Sequence, residues 1–298
     1  MTIAMTHCLT LIAADRLDDI TLSQLRQTLA AQGAALVDTD WLAPGRAADI
    51  GFSGVDAEEA ERLAREIFAG RPVDLVAQPR AERRKRLLVA DMDSTMVTAE
   101  TLDELAAFAG LKEQIAAITR RAMNGEIDFK AALRERVALL RGLDEGALAK
   151  TEAGIALMGG ARTLVATMRG HGAYTVLVSG GFDYFTSRVK TSCGFDAERA
   201  NHLLIEDGKL TGLVREPILD RDAKLGFLRS FAAERGLAAD QTIAVGDGAN
   251  DLAMVKAAGL GVAYHAKPVV AGEARFRVDH NDLTALLFAQ GYRQEEFL

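Results

Sequence analysis

Two aspartates spaced two apart, Asp91 and Asp93, follow a short apolar run from Leu87 to Ala90. Further along, Ser179-Gly180-Gly181 follows Tyr174 to Val178, and Lys224 opens a helical stretch after Asp220-Arg221-Asp222-Ala223. Gly246-Asp247-Gly248-Ala249-Asn250-Asp251 then follows Thr242 to Val245. Carboxylates, one cation and a glycine turn suit phosphoryl transfer. A phosphate monoester dianion resists attack, so its cleavage needs neutralised charge, in-line positioning and a protonated leaving group. Asp91 is the candidate carboxylate nucleophile. Asp93 is the candidate acid for the leaving alkoxide and base for the attacking water. Mg²⁺ prefers few carboxylates, several waters and phosphate oxygens. Asp91, the backbone carbonyl of Asp93 and Asp247 are its expected ligands, with Asp251 orienting them from behind. Ser179 and the Gly180 N–H suit a phosphate oxygen, and Lys224 would offset the crowded negative charge. An acidic pair or a lone lysine is ordinary at a turn or a surface; four elements in this order are not.

The elements that must position these residues read as apolar strands alternating with helices. Leu87 to Ala90, Tyr174 to Val178, Thr242 to Val245 and Leu260 to Tyr264 each lead into Gly, Ser or Asp and then helical sequence. That pattern predicts an α/β core, a doubly wound parallel sheet buried on both faces, with ligands outside the carboxyl ends of the strands. A long helical stretch, about residues 100–155, exceeds a simple crossover and predicts an inserted helical cap. The first 80 residues carry a separate pattern. Thr6 to Ala13, Ala34 to Leu42, Ala47 to Ser53 and Pro72 to Ala77 read as strands, and Ser23 to Gln32 and Ala57 to Phe68 as helices. The order βαββαβ is that of an α+β ferredoxin-like domain. Asn201 and His202 open an expected hairpin with Asp207-Gly208 at its turn, and His202 reads as structural.

Taken together, the four elements resemble the motifs of the haloacid dehalogenase (HAD) superfamily over residues 81–298, which implies a HAD-like Rossmannoid core. Within that superfamily an acid at the position of Asp93 goes with phosphatases and mutases. The stretches DMDSTMV, ETLDELA, ITRRAMNGEIDF, LRERVALL, VSGGF and VGDGAND are similar to the phosphoserine phosphatases. The resemblance implies Mg²⁺-dependent hydrolysis of O-phospho-L-serine through an aspartyl phosphate on Asp91, the last step of serine biosynthesis. Phosphoserine presents a carboxylate and an ammonium beside its phosphate, so its site needs an arginine and a carboxylate; Arg136 and Glu100 fill those roles. Helical spacing leaves Arg134 and Arg136 equal, and the choice of Arg136 rests on the resemblance. So do Met123 and Phe129 as apolar walls and Asn250 near the substrate. Met158-Gly159-Gly160-Ala161 departs from the family, where a proline is common. Residues 1–80 resemble the ACT-type regulatory domains, which implies a homodimer through this domain or an amino-acid regulator.

Composition sets limits on other readings. The net charge of −7 gives no help to nucleic-acid binding, and the one basic run, Arg80 to Arg86, reads as a solvated linker because no aromatics interleave with it. Cys8 and Cys193 form no metal-like spacing, which fits a reducing compartment. No stretch has the length of a membrane span, and the expectation is a cytoplasmic enzyme. Two alternatives share part of this pattern. Phosphotransfer to an alcohol such as homoserine uses the same motifs, whereas a receiver-type phosphoacceptor needs neither Asp93 nor a cap.

Overall fold

The computed structural model describes residues 5–123 and 126–298. The chain opens with β1 (His7–Ala13), α1 (Asp19–Ala31), β2 (Ala35–Leu36), β3 (Asp40–Ala43), β4 (Ala47–Ser53), α2 (Ala57–Ile67) and β5 (Val73–Pro79). Asp18 and Asp56 start the two helices by accepting N–H bonds from Thr21 and Glu59 at 2.7 Å each, the side-chain capping that Asp supplies well. The antiparallel sheet runs β2-β4-β1-β5, with β3 pairing on β4. The predicted strand Ala34 to Leu42 is therefore two short strands. Val37 still donates to the Gly51 carbonyl of β4 at 3.1 Å, but β2 and β3 take different stretches of β4, which breaks the strand between them.

The alternation along β1 explains why it reads as continuously apolar. Leu9 and Leu11 pack under α1 and α2 with Leu25, Leu29 and Phe52. Ile12 faces the other way, into the same core as Leu88 and Phe288 of the second unit. Both faces of this sheet are thus buried. The basic run is solvated only in part: Arg80, Arg84 and Arg86 are exposed, whereas Arg83 and Lys85 form a clasp. Arg83 bonds both carboxylate oxygens of Asp49, at 2.5 and 2.8 Å, and the Ala289 carbonyl at 2.9 Å. Lys85, which is buried, donates to the carbonyls of Glu82 and Asp240. Buried cations of this kind need partners, and the carbonyls and Asp49 supply them.

The second unit begins at β6 (Leu87–Ala90). Four helices follow: α3 (Thr101–Phe108), α4 (Lys112–Met123), α5 (Phe129–Ala138) and α6 (Gly146–Ala153). These form the cap. Then come α7 (Ala161–Gly170), β7 (Tyr174–Phe182), α8 (Asp183–Cys193), β8 (Ala197–Asn201), β9 (Leu203–Glu206), β10 (Lys209–Val214), α9 (Arg221–Glu234), β11 (Thr242–Gly246), α10 (Leu252–Ala257), β12 (Leu260–Tyr264), α11 (Pro268–Ala271), β13 (Phe276–Val278) and α12 (Ala285–Ala289). The six-stranded sheet has the order β13-β12-β11-β6-β7-β8, and its pairs are parallel. On β6, Leu88 and Ala90 face one apolar layer while Leu87 and Val89 face another against Leu228 and Phe231 of α9. This two-sided burial is what a parallel sheet requires.

The cap joins the core through two chain segments that touch at Val97 and Leu157. Gly160, within the stretch Met158 to Ala161 that departs from the family, has φ 76°, and a Cβ there would lie 2.8 Å from the Thr284 nitrogen. Glycine fits this turn into α7 because the neighbouring chain leaves no room. The hairpin β9–β10 turns at Asp207-Gly208, as expected, with φ of 49° and 73°, the type I′ signature. It also bonds the cap backbone, Gly142 N–H to the Leu210 carbonyl at 2.8 Å and Leu210 N–H to the Leu143 carbonyl at 2.9 Å. Among the described residues no helix is long and apolar enough to cross a membrane.

Candidate active site

β11, β6 and β7 are neighbours, so their carboxyl ends bring Asp247, Asp91 and Ser179 to one crevice. Lys224 enters from the first turn of α9, whose N-cap Asp220 accepts bonds from Asp222 and Ala223 N–H. Its Nζ lies 2.7 Å from Asp91 Oδ1 and 2.6 Å from Asp251 Oδ1. All three side chains are buried. Burial alone would depress the lysine, but Asp251 and Asp91 hold its pKa above the ordinary range. Asp91 is pushed well above the usual carboxylate value by burial and by Asp251, with Lys224 opposing.

Asp93 stands on the other side of the crevice. Its Oδ1 accepts the Thr101 N–H at 2.9 Å, and its Oδ2 lies 3.4 Å from Ser179 Oγ. Burial first, then the nearby charge of Glu100, raises it to about 6, against the bonds from Thr101. A carboxyl tuned toward neutrality can carry a proton to a leaving group near neutral pH. The residues Ser179 to Gly181 lie within an irregular end of β7 rather than after it, since the register with β8 shifts between Val178 and Phe182. Gly181 allows that approach: a Cβ there would sit 3.0 Å from Asp93 Oδ2.

The aspartates Asp91, Asp247 and Asp251 present carboxylate oxygens within 4.8 Å of one another. Burial, and next Asp251, raises Asp247. Hard oxygen donors in excess over one buried lysine suit a divalent cation such as Mg²⁺. Asp251 has prior partners in Lys224 and, at 3.1 Å, the Gly248 N–H. Its carboxylate is thus engaged by both partners beside Asp91 and Asp247.

The cap closes over this crevice. Phe129 at the start of α5 overlies Gly180, where a Cβ would meet its Cζ at 3.2 Å. Glu100 is exposed and does not cap α3 with its side chain. It accepts instead from Ser94 Oγ at 2.9 Å. Arg136 is partly buried, and its pKa is lowered by burial against the pull of Asp103 and Glu100. Arg134 points away, in an exposed ion pair with Glu216 at 2.6 Å. Asn250 is half-buried against Gly248. The side chain of Met123 lies outside the described residues.

Residues 88–256 match the haloacid dehalogenase-like hydrolase family. A solved phosphoserine phosphatase carrying a phospho-aspartyl intermediate analogue is 39% identical, with a TM-score of 0.64, over 68% of this chain and 98% of that one. This chain belongs to the phosphoserine phosphatase family.

Two further members of that family extend the likeness. The phosphoserine phosphatase of Streptomyces coelicolor is 44% identical over 255 residues, 85% of this chain and 62% of its own length. The chain thus spans under two thirds of that relative. A probable phosphoserine phosphatase from Vibrio cholerae, solved unliganded, has a TM-score of 0.78 and 31% identity over 98% of this chain and 88% of that one.

Against the family frame, sequence reasoning missed three neighbours of the site. Thr95 Oγ1 lies 3.3 Å from Asp247 Oδ1, and Lys267 Nζ lies 3.6 Å from Asp247 Oδ2. Thr101 holds Asp93. Thr95, in the motif beside Asp91, and Thr101, next to Glu100, offered a positional signal; Lys267, twenty residues after Asp247, offered none.

Proposed function

We propose that the chain hydrolyses O-phospho-L-serine to L-serine and phosphate through a phosphorylated Asp91. The observation that carries this reading is the placement of Asp91 on Lys224 opposite Asp93, which is held by Thr101 and Ser179. Asp91 Oδ1 is occupied by Lys224 and, at 2.7 Å, by the Met92 N–H. Oδ2 is therefore the oxygen that attacks phosphorus. The bond from phosphorus to the serine oxygen breaks, and Asp93 gives its proton to that oxygen. A water then attacks the phosphorus and loses a proton to the Asp93 carboxylate, the bond to Asp91 breaks, and inorganic phosphate leaves. Ser179 Oγ and the Gly180 N–H hold the phosphate oxygens, and Lys224 opposes the burial and the charge of Asp251 that push the Asp91 carboxyl up.

Asp91, the Asp93 backbone carbonyl and Asp247 would hold Mg²⁺, with Asp251 fixing their orientation. When bound, the ion supplies positive charge against the phosphate. Arg136 takes the substrate carboxylate and Glu100 its ammonium. Met123 and Phe129 keep water out, and Asn250 lies near the substrate. In this reading residues 1–80 form an ACT-like unit that pairs two copies or binds an amino acid, residues 81–298 form the catalytic unit, and the enzyme works in the cytoplasm.

The test is phosphate release from L-phosphoserine, D-phosphoserine, phosphothreonine, phosphoethanolamine and glycerol phosphate, with Mg²⁺ and with EDTA. Preference for phosphoserine that EDTA abolishes is expected. Equal use of phosphoethanolamine would remove Arg136 and the named substrate, and full activity in EDTA would remove the metal.

A further inference from the structure

The side chain of Asn201, 2% exposed at the end of β8, bonds only backbone groups among the described residues. Its Nδ2 donates to the Gly180 carbonyl at 2.9 Å and to the Leu219 carbonyl at 3.2 Å. Its Oδ1 accepts the Leu219 N–H at 2.8 Å. One planar amide therefore spans two loops that are far apart in sequence. A buried amide whose donors and acceptor are matched to backbone groups is rigid, because any shift leaves a polar group unpaired.

Each loop leads to the crevice. The Gly180 carbonyl belongs to the peptide whose N–H is that of Gly181. That N–H donates to Ser179 Oγ at 2.8 Å, and Ser179 Oγ in turn lies 3.4 Å from Asp93 Oδ2. Fixing the carbonyl fixes the plane of this peptide, hence the N–H that orients the Ser179 hydroxyl. On the other side, Leu219 directly precedes Asp220, the N-cap of the helix whose first turn carries Lys224. Asn201 thus sets the spacing between the turn at Ser179 and Gly180 and the lysine on Asp91.

We propose that Asn201 is a positioning residue for phosphoryl transfer, aligning Ser179 and the Gly180–Gly181 peptide with Asp93 and Lys224. It touches neither substrate nor reacting atoms. The proposal rests on the functional reading above, because it assigns the phosphate to the Ser179 turn.

Asn201→Asp keeps the shape and the acceptor for Leu219 N–H. It replaces the donor with an oxygen facing two carbonyls. Misplacement of a reacting group by about 1 Å can cost about 100-fold in rate. We therefore expect kcat/KM for phosphoserine to fall by about 10- to 100-fold. The Kd for inorganic phosphate should weaken in parallel. The loss should be smaller on p-nitrophenyl phosphate, whose leaving group needs little help from Asp93. Asn201→Ser, whose shorter side chain cannot span both loops, should show the same bias with a smaller loss; it answers the question if the aspartate variant does not fold. Equal losses on both esters that follow a lowered Tm, with unchanged phosphate affinity in either folded variant, would make Asn201 merely structural. A wild-type enzyme that hydrolyses neither ester would refute the functional reading. Phosphate affinity, measured by calorimetry on wild type and variants, would still decide the role of Asn201.

Discussion

Lys224 and Asp91 form an ion pair at 2.7 Å in which both partners are almost wholly removed from water. The same ammonium meets Asp251 at 2.6 Å. Two carboxylates so close together repel one another in a medium of low dielectric, and the ammonium between them offsets that repulsion. The pair is therefore part of the fold as well as of the proposed chemistry.

Lys224→Met should expose that double role. Removing one partner of a buried ion pair costs about 3–5 kcal/mol, because the other charge is left uncompensated. Urea unfolding should show a loss of that size, together with a drop in kcat of about 100-fold or more. A variant with wild-type stability and turnover would mean that Lys224 is a bystander.

The two arginines of α5 should separate cleanly. Arg136→Ala should raise KM for phosphoserine by about 10- to 100-fold, the value of a charged hydrogen-bonded contact. It should leave p-nitrophenyl phosphate hydrolysis nearly unchanged. Arg134→Ala removes only an exposed pair with Glu216, worth at most about 1 kcal/mol. Comparable losses for both variants on both esters would reverse the assignment.

Asp74 offers a test of how the N-terminal unit is held. Its carboxylate accepts N–H bonds from Asp279, His280 and Asn281 at 2.8, 3.2 and 3.0 Å, and one from Asn281 Nδ2 at 2.9 Å. Asp74→Ala strands these donors, and each one left buried and unpaired costs about 1–3 kcal/mol. Thermal unfolding should shift down markedly, or split into two transitions. An unchanged single transition would show that the apolar contact between the units suffices.

Burial pushes the Cys8 thiol up to about 12 and the Cys193 thiol up to about 11. The thiolate is the reactive form, so neither should react with iodoacetamide in the folded protein at neutral pH, and both should react after denaturation. The linkage has a definite sign. Both groups keep their protons longer folded than unfolded, so their contribution to stability is complete below about 9 and is lost as pH rises from there toward 11 to 12. Rapid native-state labelling at neutral pH would contradict the burial of these side chains.

Much of the site was legible before any fold was known. Asp91, Asp93, Ser179, Lys224 and Asp247 each sit at the end of an apolar run or the start of a helix, and a parallel sheet places such ends together. The basic run between the units was not legible. Seven residues with five cations read as a solvated strip, yet Arg83, half-buried, and Lys85, buried, bond partners 34 and 155 positions away. Nothing local announces a carboxylate or a carbonyl that far along the chain.

The sequence by itself determined the order of elements, the parallel core and the residue types available for phosphoryl transfer, because strand period, helix caps and glycine turns act over a few neighbours. Only the tertiary structure decided that Arg134 pairs with Glu216 while Arg136 lies in the field of Asp103 and Glu100, that Asp251 shares Lys224 with Asp91, and that Asn201 ties the Ser179 turn to the residue before α9. These are relations between segments separated by tens of residues. They are settled by which polar groups are buried together and must find partners there.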